Sequence, residues 1–500
     1  MGDGIVHEVN PAQPEPDPRR WKALAVCLVA GFMTLLDVSI VNVALPSIRS
    51  GVGASTSDLQ WIVSGYALSF GLVLVPSGRL GDQRGRRTMF IAGVALFTLS
   101  SLAAGLAPTA AVLVLARLVQ GVGGGILNPQ VSALIQELFQ GKERGRAFGL
   151  LGTVIGVSTA IGPVLGGLII RLLGVESGWR WIFFVNIPIG IAAIALSLRL
   201  LPAPQRNRAA GRDLDLVGVA LLGAGVLAIL LPLVQEQTWQ GSAKWAVLGA
   251  GLVVLAGFFL WEHRYAARGR APLVDLSLFR EPGYATGTVV AMVYFSGFTG
   301  VFFVLSLYFQ GRIGYSPLVA GLALTPFAVG SVVTSASSGR RVTTLGRPLV
   351  VAGLLAAVAG LLLTDVAFGV SGENASAGWW SALPLFLAGL GSGLVISPNQ
   401  TLTLASVPVH RAGTAGGVLQ TGQRMGSAAG IALVGAVFFA DIAANRGDFS
   451  VAVDRGLRVC VGLVALALVV GVGDLVMTRR RDRSGARAGR HRSGRVLRVA

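Results

Sequence analysis

Residues 77–87 read SGRLGDQRGRR, and 261 positions later residues 338–348 read SGRRVTTLGRP. Ser77, Gly78, Arg79, Gly85 and Arg86 recur as Ser338, Gly339, Arg340, Gly346 and Arg347 at that constant offset. Both copies read as basic turns between long apolar runs. A second echo supports the repeat: Gly121-x-Gly-x-Gly125 lies in the fourth apolar run and Gly389-x-Gly-x-Gly393 in the twelfth. Two equivalent halves related by an axis along the membrane normal are a feature of transporters, whose substrate site lies between the halves near mid-membrane.

The composition fits this frame. Hydrophobic residues make up 53% of the 500 and charged residues 13%, against about 25% charged in ordinary soluble domains. At about 20 apolar residues per helix, this is enough for roughly fourteen spans and leaves no room for a large soluble domain. The apolar segments fall at 22–45, 59–78, 88–107, 110–136, 147–173, 179–201, 214–235, 245–262, 284–309, 317–337, 348–370, 379–403, 412–440 and 457–477. The first twenty residues lack the apolar core of a cleavable signal, so the first span is expected to be retained.

A net charge of +18 in a soluble protein would suggest nucleic acid as a partner. Here the loops decide its meaning. Alternate loops carry 19 Lys and Arg on one side and 8 on the other, and both tails fall on the richer side. The positive-inside rule then places both termini in the cytoplasm, in a multi-pass protein of a bacterial inner membrane, with no nucleic acid partner. A high Arg to Lys ratio, with abundant Ala, Gly and Val, fits a GC-rich bacterial gene. The nine tryptophans lie at or near segment ends or in a short loop, as interfacial anchors do. Cys27 and Cys460 sit alone in apolar runs, and His7, His263, His410 and His491 fall in loops or tails, so no disulfide, metal site or cofactor is expected. No phosphate-cradling loop or nucleophile elbow occurs, which argues against ATP hydrolysis as the energy source and against an enzyme.

The expected architecture is an all-α polytopic membrane protein of two six-helix bundles plus two extra central helices. Residues 1–21 form a cytoplasmic tail and 22–201 the first bundle. Residues 202–264 are a linker holding two extra spans. The second bundle with its preceding loop occupies 265–477, and 478–500 is a basic tail that either faces anionic lipid or is unselected polar chain.

Ionisable residues at membrane depth are costly and are functional candidates by default. Asp37 lies nine residues from Pro46, about 13 Å along a helix at 1.5 Å per residue. Arg117 falls at a similar depth in the fourth span. Together they are either a proton-carrying carboxylate with a partner that comes and goes or a static pair fixing two helices. Arg424, flanked by Gln420 and Gln423, is either a ligand or coupling group or a donor to neighbouring carbonyls. With Asn42 and Gln120, these three are the polar candidates for lining a substrate cavity. Asp365 reads as interfacial, while Asp58, Glu137, Asp441 and Asp474 read as solvated helix ends.

The segment Gly78 to Arg87 sets Asp82 among Arg84, Gly85, Arg86 and Arg87. It is either a charge latch, pairing Asp82 with an arginine or a helix N-terminus, or a solvated basic turn. In the fifth span, Gly152-xxx-Gly156 precedes Gly162-Pro163 and Gly166-Gly167. Small residues let helix backbones approach closely, and Gly-Pro permits a kink. Gly422, Gly426 and Gly430 repeat the small face in the thirteenth span, which suggests an interface that rocks, or else simple packing.

These segments resemble the major facilitator superfamily, in particular its fourteen-helix drug:proton antiporter family, over roughly 22–477. GRLGDQRGRR resembles the family's cytoplasmic motif between helices 2 and 3, LDVSIVNVALP (36–46) its helix 1 motif, RLVQGVGGG (117–125) its helix 4 motif and GPVLGG (162–167) its helix 5 antiporter motif. WRWIFFVNIPIG (179–190) and PLVDLSLF (272–279) are also similar. The resemblance implies Asp37 as proton carrier, Arg117 as its modulator, Asp82 with its arginines as a gating latch and Gly162-Pro163 as the antiporter kink. It implies a monomeric exporter of small amphipathic drugs or natural products, driven by protons across the lipid bilayer. Departing from some multidrug exporters, spans 10, 12 and 13 carry no acid at depth, leaving neutral and anionic substrates open. The alternatives are an importer, or an exporter of an endogenous metabolite, of the same fold and, more remotely, a non-transporting sensor.

Overall fold

The computed structural model describes residues 17–174, 176–203, 215–235, 239, 241–281, 283–371, 374, 376–444 and 449–496, with residues 443 and 479–496 by backbone alone. The tail before residue 17, the linker arginines Arg206, Arg208 and Arg212, and the side chains of the C-terminal tail beyond Thr478 lie outside the described residues.

The described chain is helical throughout, with fourteen segments long and apolar enough to cross a membrane. The first half holds α1 (Arg20–Val52), α2 (Thr56–Arg84), α3 (Arg86–Gly105), α4 (Ala110–Leu138) and α5 (Gly141–Leu173), and its sixth span is broken into α6 (Gly178–Phe184) and α7 (Asn186–Leu200). The two extra spans are α8 (Leu216–Val234) and α9 (Ala243–Ala267). The second half holds α10 (Tyr284–Leu307), α11 (Pro317–Leu345), α12 (Arg347–Ser371), α13 (Ala377–Ala405), α14 (Ala412–Ala444) and α15 (Phe449–Val496).

Several helices outrun their apolar cores, because beyond the hydrocarbon a helix can continue with polar residues facing water. This corrects the reading of the repeated segments as turns. Residues 78–84 complete α2 and 338–345 complete α11. Only Gly85, at φ 101°, and Gly346, at φ 61°, turn the corner into the next helix, a region of backbone space that favours glycine. At the opposite end of α2, Ser55 and Asp58 form a reciprocal capping box, with Ser55 N donating to the carboxylate at 2.9 Å and Asp58 N donating to Ser55 Oγ at 3.1 Å, so the chain enters the helix with its first donors satisfied.

The apolar cores show where the molecule is closed. At the basic end one continuous core joins both halves, bringing Met33, Phe70, Leu134 and Phe148 together with Tyr284, Leu404 and Leu419. Toward the other end the cores separate. Ile40, Ile48, Trp179 and Phe183 pack within the first half, while Val304, Phe309, Leu361 and Phe438 pack within the second. The extra pair α8 and α9 lies on the flank, with Leu222, Val226 and Leu230 of α8 packed among Leu68 and Val75 of α2 and Ala428 of α14.

Candidate functional site

Asp37 sits near the middle of the 33-residue α1 and is fully buried. Its carboxylate accepts Arg117 Nη1 at 2.5 Å, Gln120 Nε2 at 2.8 Å and Asn186 Nδ2 at 3.2 Å. Arg117 in turn donates from Nε to the Ile62 carbonyl at 3.0 Å and from Nη1 to Gln120 Oε1 at 2.6 Å, and it lies over the Tyr66 ring at 4.3 Å. Ser101 Oγ accepts from Gln120 at 2.8 Å and from Asn186 at 3.4 Å. A charge pair taken out of water needs this dense set of partners, since its mutual attraction alone does not repay desolvation. The donors to Asp37 are all side chains, so rotamer changes on α4 and α7 can rearrange them without breaking a helix.

Gln120, expected at the cavity, is instead fully buried in the Asp37 network and is not among the residues lining the central cavity. Asn186 joins that network from the break between α6 and α7. It stands inside the segment WRWIFFVNIPIG, and its only signal was a lone amide in an apolar run.

At the basic end, the repeated glycines mark two close approaches between the halves. A side chain on Gly78 of α2 would strike Gly413 of α14, and one on Gly339 of α11 would strike Gly145 of α5. Asp82 closes the first seam. Its carboxylate accepts the backbone N–H groups of Gly413 at 3.0 Å and Thr414 at 2.9 Å, the Thr414 hydroxyl at 3.1 Å and Arg86 Nη2 at 3.2 Å. Arg86 also donates to the Val409 carbonyl across the seam and to Glu137 Oε2 at 2.9 Å. Arg87 instead binds the Leu198 and Leu201 carbonyls within its own half, and Arg84 is exposed and outside this network. The second repeat carries Thr343 where the first has Asp82. Its Arg347 pairs within the second half, with Asp474 at 2.7 Å and Asn399 Oδ1 at 2.9 Å.

Asp474 is therefore buried and paired rather than solvated, and Asp441 is likewise buried, against Arg455. Asp365 meets Arg458 at 3.3 Å. The small faces are also redistributed. Gly426 and Gly430 pack on Met292 and Ser296 of α10, inside the second bundle and not across the seam. Gly162 and Gly166 press on Ser39 and Ile40 of α1, Pro163 meets Gly321 of α11, and Gly167 has nothing within 4 Å. Spacing reveals that some helix comes close, and only the fold says which one. α5 runs unbroken through Pro163.

Between the halves lies a cavity of about 650 Å³. It reaches Pro46, Ser306, Gln310 and Pro317 at the end away from the basic turns, and Asn42, Gln420, Gln423 and Arg424 are among its polar lining residues. Residues not singled out in the sequence complete it: Asn128, Ser132 and Gln400 among the polar ones, and Phe70, Phe298 and Phe302 among the aromatic ones. Gln400 Nε2 and Gln420 Nε2 both donate to Ser132 Oγ, at 3.1 and 3.3 Å, tying the two halves below the cavity.

Two six-span bundles around a central cavity, with an extra pair of spans on the flank and a charge pair buried beside the cavity, define a multi-pass membrane transporter. The chain belongs to the Major Facilitator Superfamily, whose family model matches residues 27–431. It is 38% identical over 447 residues to the probable actinorhodin transporter of Streptomyces coelicolor, covering 87% of this chain and 75% of that protein. It is 36% identical to the puromycin resistance protein pur8 of Streptomyces alboniger, covering 93% and 90%, respectively. Among solved structures, the human organic anion transporter MFSD10 superposes with a TM-score of 0.65 at 16% identity, over 92% of this chain and 100% of that one. That similarity establishes the shared fold.

Proposed function

We propose that this transporter is a proton-coupled exporter of small amphipathic molecules, working by alternating access between two bodies, 22–201 and 265–477, joined by the linker 202–264. Asp37 is the proton carrier and Arg117 its modulator. One observation carries the reading: Asp37 is a mid-membrane carboxylate whose charge alone gathers Arg117, Gln120 and Asn186 from two other helix segments. Protonation removes that charge and loosens all three partners at once, which links proton arrival to the packing of α1, α4 and α7.

Direction follows from charge and relatives. With the basic face in the cytoplasm, the cavity opens outward and the Asp82 latch closes the inner side, the state in which substrate leaves and a proton enters. Relatives named as a probable actinorhodin transporter and a puromycin resistance protein favour export of drug-like compounds over uptake. The protein acts as a monomer in the inner membrane, with both termini cytoplasmic.

The test is drug accumulation in inverted membrane vesicles given a proton gradient, with Asp37→Asn as the comparison. Wild type should concentrate substrate inside and the normally expressed variant should not. Gradient-driven accumulation by Asp37→Asn would overturn the assignment, and accumulation only in right-side-out vesicles would make the protein an importer.

A further inference from the structure

Arg424 of α14 is a cation without an acid. Its guanidinium lies over the Phe70 ring at 4.4 Å, and among the described residues it has neither an ion pair nor a hydrogen-bond acceptor. Among the described residues that line the cavity there is no Asp or Glu. Asp37 does not compensate it, being fully buried and already bound to Arg117. Two rings stand between the cations, with Arg117 over Tyr66 at 4.3 Å, Tyr66 to Phe70 at 5.9 Å, and Phe70 under Arg424. An aromatic face attracts a guanidinium but replaces little of the hydration that burial removes. The open valence of Arg424 is directed at whatever fills the cavity.

The neighbouring groups complete a recognisable chemistry. Gln423, one residue away, has no partner among the described residues and offers a free amide. Phe298 and Phe302 line the same space as an edge-to-face pair with ring centroids 5.1 Å apart, an aromatic corner against which a flat ring system can stack on one ring and meet the edge of the other. A guanidinium prefers a planar, charged oxygen pair, which it binds with two parallel hydrogen bonds. A cationic ligand here would meet like charge with no carboxylate to offset it.

Resting on the transporter reading above, we propose that the cavity selects amphipathic aromatic anions, with Arg424 and Gln423 receiving the anionic oxygens and Phe298 and Phe302 the rings. Neutral compounds fit less well and cationic ones least.

Two dyes on the same tricyclic xanthene frame separate these cases: fluorescein, anionic at the chosen pH, and tetramethylrosamine, a cation. Binding to the purified full chain in detergent is followed by fluorescence polarisation. Wild type should bind fluorescein at least about tenfold more tightly. Arg424→Gln should lose about tenfold or more of that affinity, as expected for a charge-assisted hydrogen bond, with tetramethylrosamine unchanged or tighter. Arg424→Lys, which keeps the charge, should recover part of the loss. Wild type that binds neither dye, or prefers the cation, overturns the proposal, as does Arg424→Gln with fluorescein affinity intact. Should Arg424→Gln fail to fold, the wild-type preference decides alone. Because binding needs no gradient, a failure of proton-driven export with the dye preference intact would count against the exporter reading and not against this one.

Discussion

The carboxylate of Asp82 accepts the backbone N–H and the hydroxyl of Thr414, at 2.9 and 3.1 Å, so an acid in the last turn of α2 caps the first turn of α14 in the other bundle. The free N–H groups and the dipole of a helix N-terminus both favour a negative charge. The contact can form only while the basic ends of α2 and α14 are together, so under the alternating access proposed above it would be made in one state only.

Asp82→Asn should therefore shift the protein toward a form open at its basic face. Losing charge-assisted hydrogen bonds at a buried site costs about 1.5–3 kcal/mol. The check is a Ser132→Cys reporter labelled by a membrane-impermeant maleimide in inverted vesicles, with the native Cys27 and Cys460 silent because both are buried. Faster labelling in the Asp82→Asn background is expected, and an unchanged rate would remove the latch role.

The seam glycines should differ sharply from Gly167, toward the far end of α5. A methyl group at Gly78 or Gly339 strikes the backbone of Gly413 or Gly145, whereas at Gly167 it meets nothing within 4 Å. Gly78→Ala and Gly339→Ala should each abolish most transport at normal expression, while Gly167→Ala should transport as wild type. Gly162→Ala, which meets Ser39 of α1, should fall with the first group.

Removing one member of the buried pair should cost more than removing both. Arg117→Met leaves a buried carboxylate short of its main partner, a change worth about 3–5 kcal/mol. The double variant Asp37→Asn with Arg117→Met should recover a large part of the melting temperature lost in the single variant, as measured by thermal unfolding in detergent. Additive losses would mean that the two side chains are energetically independent.

Asn186→Leu should reduce transport while leaving expression intact, because it withdraws the α7 donor from Asp37 at 3.2 Å. Asn186→Gln, which keeps an amide, should restore part of the activity. Equal rates for wild type and Asn186→Leu would exclude the residue from the network's function.

Outside the membrane, Asp275 gives a pH test. Partial burial would raise its carboxyl pKa, but Ser277, donating from its backbone N at 2.8 Å, and the Arg411 guanidinium at 2.7 Å outweigh that and hold it below its ordinary 3.8. A depressed pKa in the folded state contributes stability above the ordinary value, and that contribution is lost as pH falls through the folded one. Thermal scans should show wild type ahead of Asp275→Asn near neutral pH, with the difference closing as the pH drops below 3.8.

Much of this was legible in the linear chain, for identifiable reasons. Hydropathy reported every span, since a membrane helix must satisfy its own backbone and present apolar side chains along its length. It missed the helical extensions 78–84 and 338–345, where polar residues continue a helix beyond the hydrocarbon and leave no apolar trace. Asp37 and Arg117 stood out because charge at depth is rare. Asn186 and Ser101 did not, because an uncharged polar residue in an apolar run carries little weight until its partner is known. Asp474 was misread for the converse reason: its partner Arg347 lies on a helix that sequence distance gave no cause to place beside it.

The sequence by itself determined the membrane class, the fourteen spans, the two-fold repeat and the identity of the deep charges, because all of these follow from local composition and periodicity. Only the tertiary structure decided what the repeated residues touch. It set Gly78 against Gly413 and Gly339 against Gly145, divided the polar residues between the sealed Asp37 network and the open cavity, and left Arg424 facing that cavity with no acid paired to it among the described residues. These are distances between helices, and helix spacing depends on how whole side-chain surfaces interlock, which no stretch of chain carries on its own.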